Sequence, residues 1–374
     1  MKICIVGGGH IGTTLACYIK HNDDSHYVSI FTRRPEQFAE YIRCNDWEGN
    51  FSYDVKVDCI SDDPAIAAGL AEIVFIALPH FAVEKAFEDI APYVLDNACI
   101  GVLPGCGGCE FFFNKYFDNN KTLFGFQRVP FTAKLEKYGH ETNLKSWKPF
   151  SVVATQKKDR VDEACSLIEQ CGLKTKKADN YLSVALTPSN PILHTSRTYE
   201  IFGQYDKDHV FEEKNKFYVG WTDEASKTML AMDNELHELL DNISEIDTQA
   251  IRPLTEHYES YTVEEMTNKI NSIVTFQSVY APMIENPNGD GYISDLNSRM
   301  FTEDFPWGLA IFRSYCDIVG TKAPMMDKVL SWYADYMGYE WYIDGKFWGK
   351  DLSLTGAPYR YGIRTYEELL SYYL

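Results

Sequence analysis

No stretch of this chain approaches the roughly 20 consecutive apolar residues that cross a bilayer, so a membrane-spanning helix is not expected. Positive charge is in short supply: 35 lysines and arginines stand against 54 aspartates and glutamates, a net charge of −19. Phosphate backbones and anionic lipid surfaces select basic patches, so neither nucleic acid nor a membrane is an expected partner. A charged-then-apolar leader is missing as well, and the chain runs straight into an apolar, strand-like segment. Cysteine, by contrast, is plentiful at ten residues. Without a secretory leader these read as reduced thiols in a cytoplasmic protein. Cys4, Cys17 and Cys316 lie in apolar runs and behave as small hydrophobes there. Metal-ligand spacing is lacking too. Cys106-Gly-Gly-Cys109 is the one suggestive pair, and no second pair completes a zinc set, so a glycine-rich loop is expected and no metal. No internal repeat or low-complexity segment is visible.

What is present begins at the first residues. Lys2-Ile3-Cys4-Ile5-Val6 is short, apolar and β-prone, and it enters Gly7-Gly8-Gly9-His10-Ile11-Gly12 before an alanine- and leucine-containing stretch from Thr13 to Ile19. A strand that runs through G-x-G-x-x-G into a helix is the dinucleotide-binding fingerprint. Gly7 allows the tight turn, Gly9 leaves room for the pyrophosphate, and Gly12 lets helix and strand pack closely. The backbone N–H groups at the helix start, around His10 and Ile11, then face the phosphates. His10 is expected to contribute its N–H rather than its imidazole.

At 374 residues, 45% hydrophobic and 24% charged, the chain is long enough for two domains with separate cores. The first half alternates strand-like and helix-like segments. Strands are expected at 27–32, 55–60, 73–78, 98–103 and 122–126, and helices at 35–43, 63–70, 83–90 and 159–171. That alternation implies an α/β domain with a parallel sheet and right-handed crossovers, with a β-rich tail reaching about Thr155. After about Asp179 the pattern turns helical. Met229, Met232, Leu236, Leu239, Leu240 and Ile243 recur at helical spacing. Thr262 with Glu265, and Thr365 with Glu368, have the capping-box form. A helix over 307–319 should end at Gly320, with Pro324 opening the next. The expected domains are therefore residues 1–179, which bind the dinucleotide, and 180–374, which are helical and carry substrate and catalysis.

In NAD-binding units an acidic residue about 20 positions beyond the glycines holds the ribose 2′-hydroxyl. Here Thr32 stands in that place, and Arg33 and Arg34 follow it. A guanidinium pairs with a 2′-phosphate where a carboxylate would repel it, which favours NADP, with NAD still open. Leu78 and Pro79, at the carboxyl end of an expected strand, should border the nicotinamide, because ligands of open α/β sheets sit there. His80 reads as a loop residue and Arg128 as a surface cation.

Two stretches of the helical half carry acid–base and anion-binding groups. One is Ser-Asn-Pro-Ile-Leu-His-Thr-Ser-Arg at 189–197, and the other is Arg-Met-Phe-Thr-Glu-Asp-Phe-Pro-Trp-Gly-Leu at 299–309. Composition alone would leave His194 either a catalytic acid–base or a hydrogen-bonded structural histidine. The two stretches together resemble the opine dehydrogenase family, the NAD(P)-dependent octopine/nopaline-type enzymes, over nearly the whole chain. Asn190-Pro191-Ile192-Leu193-His194 matches the family's N-P-x-x-H. Arg299 to Asp304, then Pro306-Trp307-Gly308-Leu309, match R-x-x-x-x-D followed by P-x-G-L. The run Thr32-Arg33-Arg34 is where this chain leaves the choice of nicotinamide open.

The resemblance implies a Rossmann-type α/β domain followed by an all-α C-terminal domain. It implies reductive condensation of an α-keto acid such as pyruvate with the amino group of an amino acid, through an imine reduced by NAD(P)H. His194 would move the proton and Asp304 would orient and stabilise it. Arg299 would hold a substrate carboxylate, and Asn190 would either bond substrate or shape the turn before Pro191. The site would then lie where the two domains meet. No assembly is fixed by the sequence, and a homodimer is carried forward as the expectation. Two rivals remain: a simple 2-keto acid or ketopantoate-type reductase, and a nucleotide sensor that binds NADP without turnover.

Overall fold

A strand covered on both faces needs side chains that are apolar throughout rather than alternating, and the runs Ile3–Val6 and Ile73–Ile76 meet that requirement with every residue buried. In the computed structural model, which describes residues 1–374, they lie side by side at the centre of an eight-stranded sheet. Its order is Thr175–Lys177, Ser151–Thr155, Thr122–Phe126, Cys99–Val102, Ile73–Ile76, Lys2–Val6, Tyr27–Phe31 and Cys59–Ser61. Lys2–Val6 pairs in parallel with Tyr27–Phe31 on one side and Ile73–Ile76 on the other, so strand order reverses there and the sheet has its topological switch point. Leu15, Val28, Ile30, Phe75, Phe124 and Phe126 fill the core of this unit. Each such side chain contributes about 1.5–3 kcal/mol by leaving water.

Three expectations for this unit need correction. The helix expected over 35–43 shrinks to the single turn Pro35–Gln37. Ile42–Asn45 is instead a strand, with Ile42 and Cys44 buried and Arg43 exposed, pairing with Glu141–Trp147 and Phe51–Val55. With Phe131–Lys137 these form a separate four-stranded sheet, a non-local assembly that no local pattern announces. The strand expected over 55–60 is likewise split between the two sheets, ending one strand at Val55 and opening another at Cys59. The large sheet is not parallel throughout. Ser151–Thr155 runs antiparallel to Thr122–Phe126, because the chain between them makes the hairpin Phe131–Lys137/Glu141–Trp147 instead of a crossover helix.

The compact units are Met1–Ala185 with Tyr372–Leu374, and Leu186–Ser371. The last strand of the large sheet ends at Lys177, but the packing of the first unit continues beyond it. Tyr181 donates its hydroxyl to the Gly105 carbonyl at 2.9 Å, and the helix Leu182–Ala185 is wholly buried. At the chain's end the Tyr373 hydroxyl donates to Glu110 Oε1 at 2.7 Å, which ties the last residues to the same unit.

The second unit is helical, built mainly on Asn190–Phe202, Asp223–Asp241, Val263–Ser272, Ala310–Val319 and Pro324–Met337. Both capping boxes form. Gly320 caps its helix at φ +87°, a left-handed conformation that favours glycine, and Pro324 starts the next helix. Met229, Met232, Leu236, Leu239 and Met266 are buried as the periodicity requires. Two short ribbons add to the helical plan, Met283–Glu285 with Tyr292–Ser294 and Tyr342–Ile343 with Lys346–Phe347. The helix expected from Trp307 opens earlier and differently, with a π-wound turn over Phe305–Leu309.

Candidate active site

In the first unit the glycines of the turn meet three different constraints. Gly7 has φ +113°, and a β-carbon there would lie 2.7 Å from the Ala77 carbonyl oxygen. At Gly12 a β-carbon would fall 1.9 Å from the Gly7 oxygen, so only glycine lets the helix approach the turn this closely. Gly9 is the opposite case: it caps the helix His10–Asn22, and a β-carbon there would meet nothing within 4 Å. The open side of the turn is thus at Gly9, where the first N–H groups of the helix lack helical partners. A dinucleotide's pyrophosphate fits these donors. The His10 imidazole does more than expected, because its Nδ1 accepts the Leu135 N–H at 2.9 Å and struts the helix start against the smaller sheet.

At the end of Tyr27–Phe31, buried Thr32 hydrogen-bonds Tyr138 through the two hydroxyls at 2.9 Å. The Arg34 guanidinium covers the Tyr138 ring at 4.2 Å from its centroid. Arg33 and Arg34 are both exposed, so two cations follow directly on the end of this strand. Leu78 borders the turn, its Cδ2 lying 2.9 Å from where a Gly7 β-carbon would be. Pro79, half-buried, precedes the turn His80–Ala82. His80 is buried, with Nε2 3.4 Å from both the Pro104 carbonyl and the Cys106 thiol, so it belongs to the packing of the glycine-rich loop. Arg128 lies beside Lys148, whose ammonium is pushed down to about 8, first by burial and then by the Arg128 charge.

In the second unit the helix Asn190–Phe202 opens with Asn190, exposed, and Pro191, buried, and sets His194 one turn in. His194 Nδ1 lies 2.7 Å from Asp304 Oδ2, although 110 residues separate them. Their side chains are only 14% and 13% exposed, so water screens the pair weakly. With a carboxylate on Nδ1, that nitrogen carries the proton and Nε2 of the neutral ring is an acceptor. Tyr218 fills that place, its hydroxyl 2.8 Å from Nε2. Burial first, then the nearby Tyr258 and Asp304, hold the Tyr218 phenol well above its ordinary value, so it stays protonated.

The two sequence motifs touch through their small residues. A β-carbon at Gly308 would sit 2.7 Å from Pro191 Cγ, so glycine there lets the π turn close onto the first turn of the His194 helix. The same turn sets Asp304, whose carbonyl accepts the Leu309 N–H at 2.9 Å, a spacing of five residues. Such local widening of a helix recurs at functional sites. Arg197, one turn beyond His194, donates Nε to the Phe217 carbonyl at 2.7 Å and so fixes the backbone next to Tyr218. Arg299 donates Nε to buried Glu303 while its side chain remains 67% exposed.

Tyr218, Tyr138 and Arg197 were not singled out by sequence. Arg197 lies within the 189–197 stretch, but nothing in Lys216-Phe217-Tyr218 or in the turn at Tyr138 forms a motif. Both tyrosines gain their neighbours only on folding.

A family model described as NAD/NADP octopine/nopaline dehydrogenase, alpha-helical domain, matches residues 177–337. A second, ketopantoate reductase PanE/ApbA, matches residues 3–145. An opine dehydrogenase of Haliotis discus hannai is 25% identical over 99% of this chain and 98% of its own length. An octopine dehydrogenase of Pecten maximus is 26% identical over 99% of each. Among solved structures, an octopine dehydrogenase with NADH and L-arginine superposes with a TM-score of 0.84 at 23% identity, covering 99% of this chain and 98% of that one. A yersinopine dehydrogenase with NADP+ gives 0.65 at 12% identity, covering 90% of each. Matches of this reach in both halves agree with the motifs around His194 and Asp304: over nearly its whole length the chain is similar to the opine and octopine dehydrogenases.

Proposed function

We propose that this chain is an NAD(P)H-dependent opine dehydrogenase that condenses an α-keto acid with the amino group of an amino acid and reduces the resulting imine. The observation that carries this reading is the 2.7 Å contact between His194 and Asp304. A carboxylate-braced imidazole is what proton transfer to and from a carbonyl or carbinolamine oxygen requires. The octopine dehydrogenase structures hold NADH with L-arginine and NADH with pyruvate, and carrying those classes to this chain gives its two substrates. Asp304 positions His194 and stabilises the imidazolium. Arg299, paired with Glu303 but largely exposed, receives a substrate carboxylate. Asn190, exposed at the helix start, offers a hydrogen bond.

The Gly7–Gly12 turn, with the N–H groups of His10 and Ile11, holds the pyrophosphate. Thr32, Arg33 and Arg34 read the ribose end, and Leu78 and Pro79 flank the nicotinamide. When bound, the nicotinamide supplies the hydride. The exposed pair Arg33 and Arg34 favours NADP over NAD. Ten free cysteines support a reducing compartment, the cytoplasm, and a homodimer is the assembly to test.

The deciding experiment measures oxidation of NADPH and of NADH against a matrix of keto acids and amino acids. Oxidation that needs both partners is expected. Oxidation with the keto acid alone would make the protein a simple 2-keto acid reductase, a reading the ketopantoate reductase match over residues 3–145 keeps in play. Tight NADPH binding with no turnover in any combination would make it a sensor.

A further inference from the structure

The four-stranded sheet of the first unit reaches the glycine turn through one hairpin. Between Phe131–Lys137 and Glu141–Trp147 the chain turns at Tyr138-Gly139-His140, closed by the His140 N–H donating to the Lys137 carbonyl at 3.0 Å. This turn is fastened to the segment that follows the two arginines. The Ala39 N–H donates to the Gly139 carbonyl at 3.0 Å, and the Arg43 N–H to the His140 carbonyl at 2.8 Å. Gly139 has φ +68°, and a β-carbon there would lie 2.5 Å from the Gln37 carbonyl oxygen, so the two segments press together. The Tyr138 side chain is thereby fixed at both ends. Its hydroxyl bonds Thr32 at 2.9 Å, and its ring meets the Phe38 ring at a steep angle, centroids 5.3 Å apart. Tyr138, Phe38 and Thr32 converge on Gly8, where a β-carbon would fall within 3.0 Å of an atom of each. Over the ring lies the Arg34 guanidinium, 4.2 Å from its centroid. Arg33 is exposed as well, but it is not the one laid on the ring.

We propose that Tyr138 is a positioning residue for cofactor choice: it holds the Arg34 guanidinium ready for a ribose 2′-phosphate, and Arg34 rather than Arg33 reads that group. This rests on the dinucleotide site and the NADP preference proposed above, and it names the residues that set the preference. An arginine free in solvent loses side-chain entropy when it grips an anion. One already laid on an aromatic face has given up much of that freedom before the ligand arrives. Contact through the face also leaves the N–H donors, which lie in the guanidinium plane, available to phosphate oxygens. The hydroxyl of Tyr138 does a separate task, tying the ring to Thr32 at the end of the strand, where sites of this fold meet the ribose. The smaller sheet is on this account part of the nucleotide site.

The test uses two probes that need no turnover, 2′,5′-ADP and 5′-ADP, titrated into the full chain by calorimetry. Arg34→Ala should weaken 2′,5′-ADP about tenfold or more, the scale of a lost charged hydrogen bond, and leave 5′-ADP within about twofold. Tyr138→Leu, which removes the ring and the hydroxyl, should weaken 2′,5′-ADP about fivefold with the same sparing of 5′-ADP. If Tyr138 acts through Arg34, the double variant should bind 2′,5′-ADP within about twofold of Arg34→Ala alone. Losses that multiply, or a Tyr138→Leu loss shared equally by the two probes, would overturn the proposal, since the tyrosine would then be shaping the whole turn. Arg33→Ala keeps the question open to refutation even if Tyr138→Leu misfolds. It should cost 2′,5′-ADP no more than about threefold, a screened surface charge, and a loss as large as that of Arg34→Ala rejects the assignment. A wild type that binds neither probe removes the dinucleotide reading and this inference with it. A wild type that binds 5′-ADP at least as tightly as 2′,5′-ADP removes the inference and leaves an NAD site.

Discussion

At the glycine turn the residues that make the site are near neighbours along the chain, and each meets its constraint within the turn itself or at Ala77. The triangle of His194, Asp304 and Tyr218 draws its members from three separate segments of the helical unit and holds them by two hydrogen bonds. The first kind of site is governed by space: a β-carbon either fits or does not. The second is governed by charge and proton position, so changing one member alters what the others are. The two sites should therefore fail differently when damaged.

The largest effect is expected at the triangle. Asp304→Asn keeps the shape but lets the imidazole adopt the wrong tautomer, and His194→Ala removes the base. Either should lower kcat by about 10²–10⁴-fold while cofactor affinity persists, as measured by steady-state rates and by titration of NADPH fluorescence. An equal loss of NADPH affinity would break the separation between the two sites. Next comes a pair of substitutions at the turn. Gly12→Val forces a β-carbon to within 1.9 Å of the Gly7 oxygen, so it should cost about 1–3 kcal/mol of stability and abolish cofactor binding. Gly9→Ala meets no atom, so the melting temperature should hold while cofactor affinity falls. A Gly9 variant that unfolds, or one that binds cofactor normally, would show that Gly9 is not the open side.

The same contrast explains what could be read in advance. The central strands were legible because a run that is apolar on both faces has few other uses, and the glycine turn because its three constraints recur every time a pyrophosphate is held this way. His194 and Asp304 were legible as motifs, while their meeting was not, because spacing along the chain says nothing about distance across it. The strand Ile42–Asn45 was hidden: Pro35 and a mixed polar stretch suggested a helix, and only partners from Phe51–Val55 and Glu141–Trp147 make it a strand. Tyr218 and Tyr138 were hidden for the same reason. Each has one hydroxyl whose partner lies on another element, and a lone tyrosine in sequence carries no mark of that.

A smaller effect sharpens the reading of the ribose end. Arg33→Ala with Arg34→Ala removes two exposed cations but leaves the Thr32–Tyr138 hydrogen bond in place. NADPH should then weaken by about 1.5–3 kcal/mol, the range for hydrogen bonds to a charged group, with NADH scarcely changed. Equal weakening of both would mean that the arginines contact no 2′-phosphate.

The smallest effect lies at Lys148, where the first unit shows the kind of non-local coupling that otherwise marks the second. Lys148 follows the strand Glu141–Trp147, and its N–H is held by the Pro130 carbonyl at 2.9 Å. Burial, and then the Arg128 charge, push its ammonium from 10.5 down to about 8. Below pH 8 the folded and unfolded chains both carry the proton, so the cost of burying the charge is present in full. Between pH 8 and 10.5 the unfolded chain keeps a proton that the folded chain has released, so this site's contribution to stability rises with pH. Replacing the ammonium with an apolar group of similar length removes that cost where it is greatest. Lys148→Met should therefore stabilise the protein by about 1–2 kcal/mol at neutral pH, and its advantage over the wild type should shrink as pH climbs toward 10. Thermal unfolding of the two proteins side by side across that range checks the sign. A variant that melts no higher than the wild type at pH 7 would mean that Lys148 carries its charge in the fold at no cost, and that Arg128 is too far away or too well screened to matter.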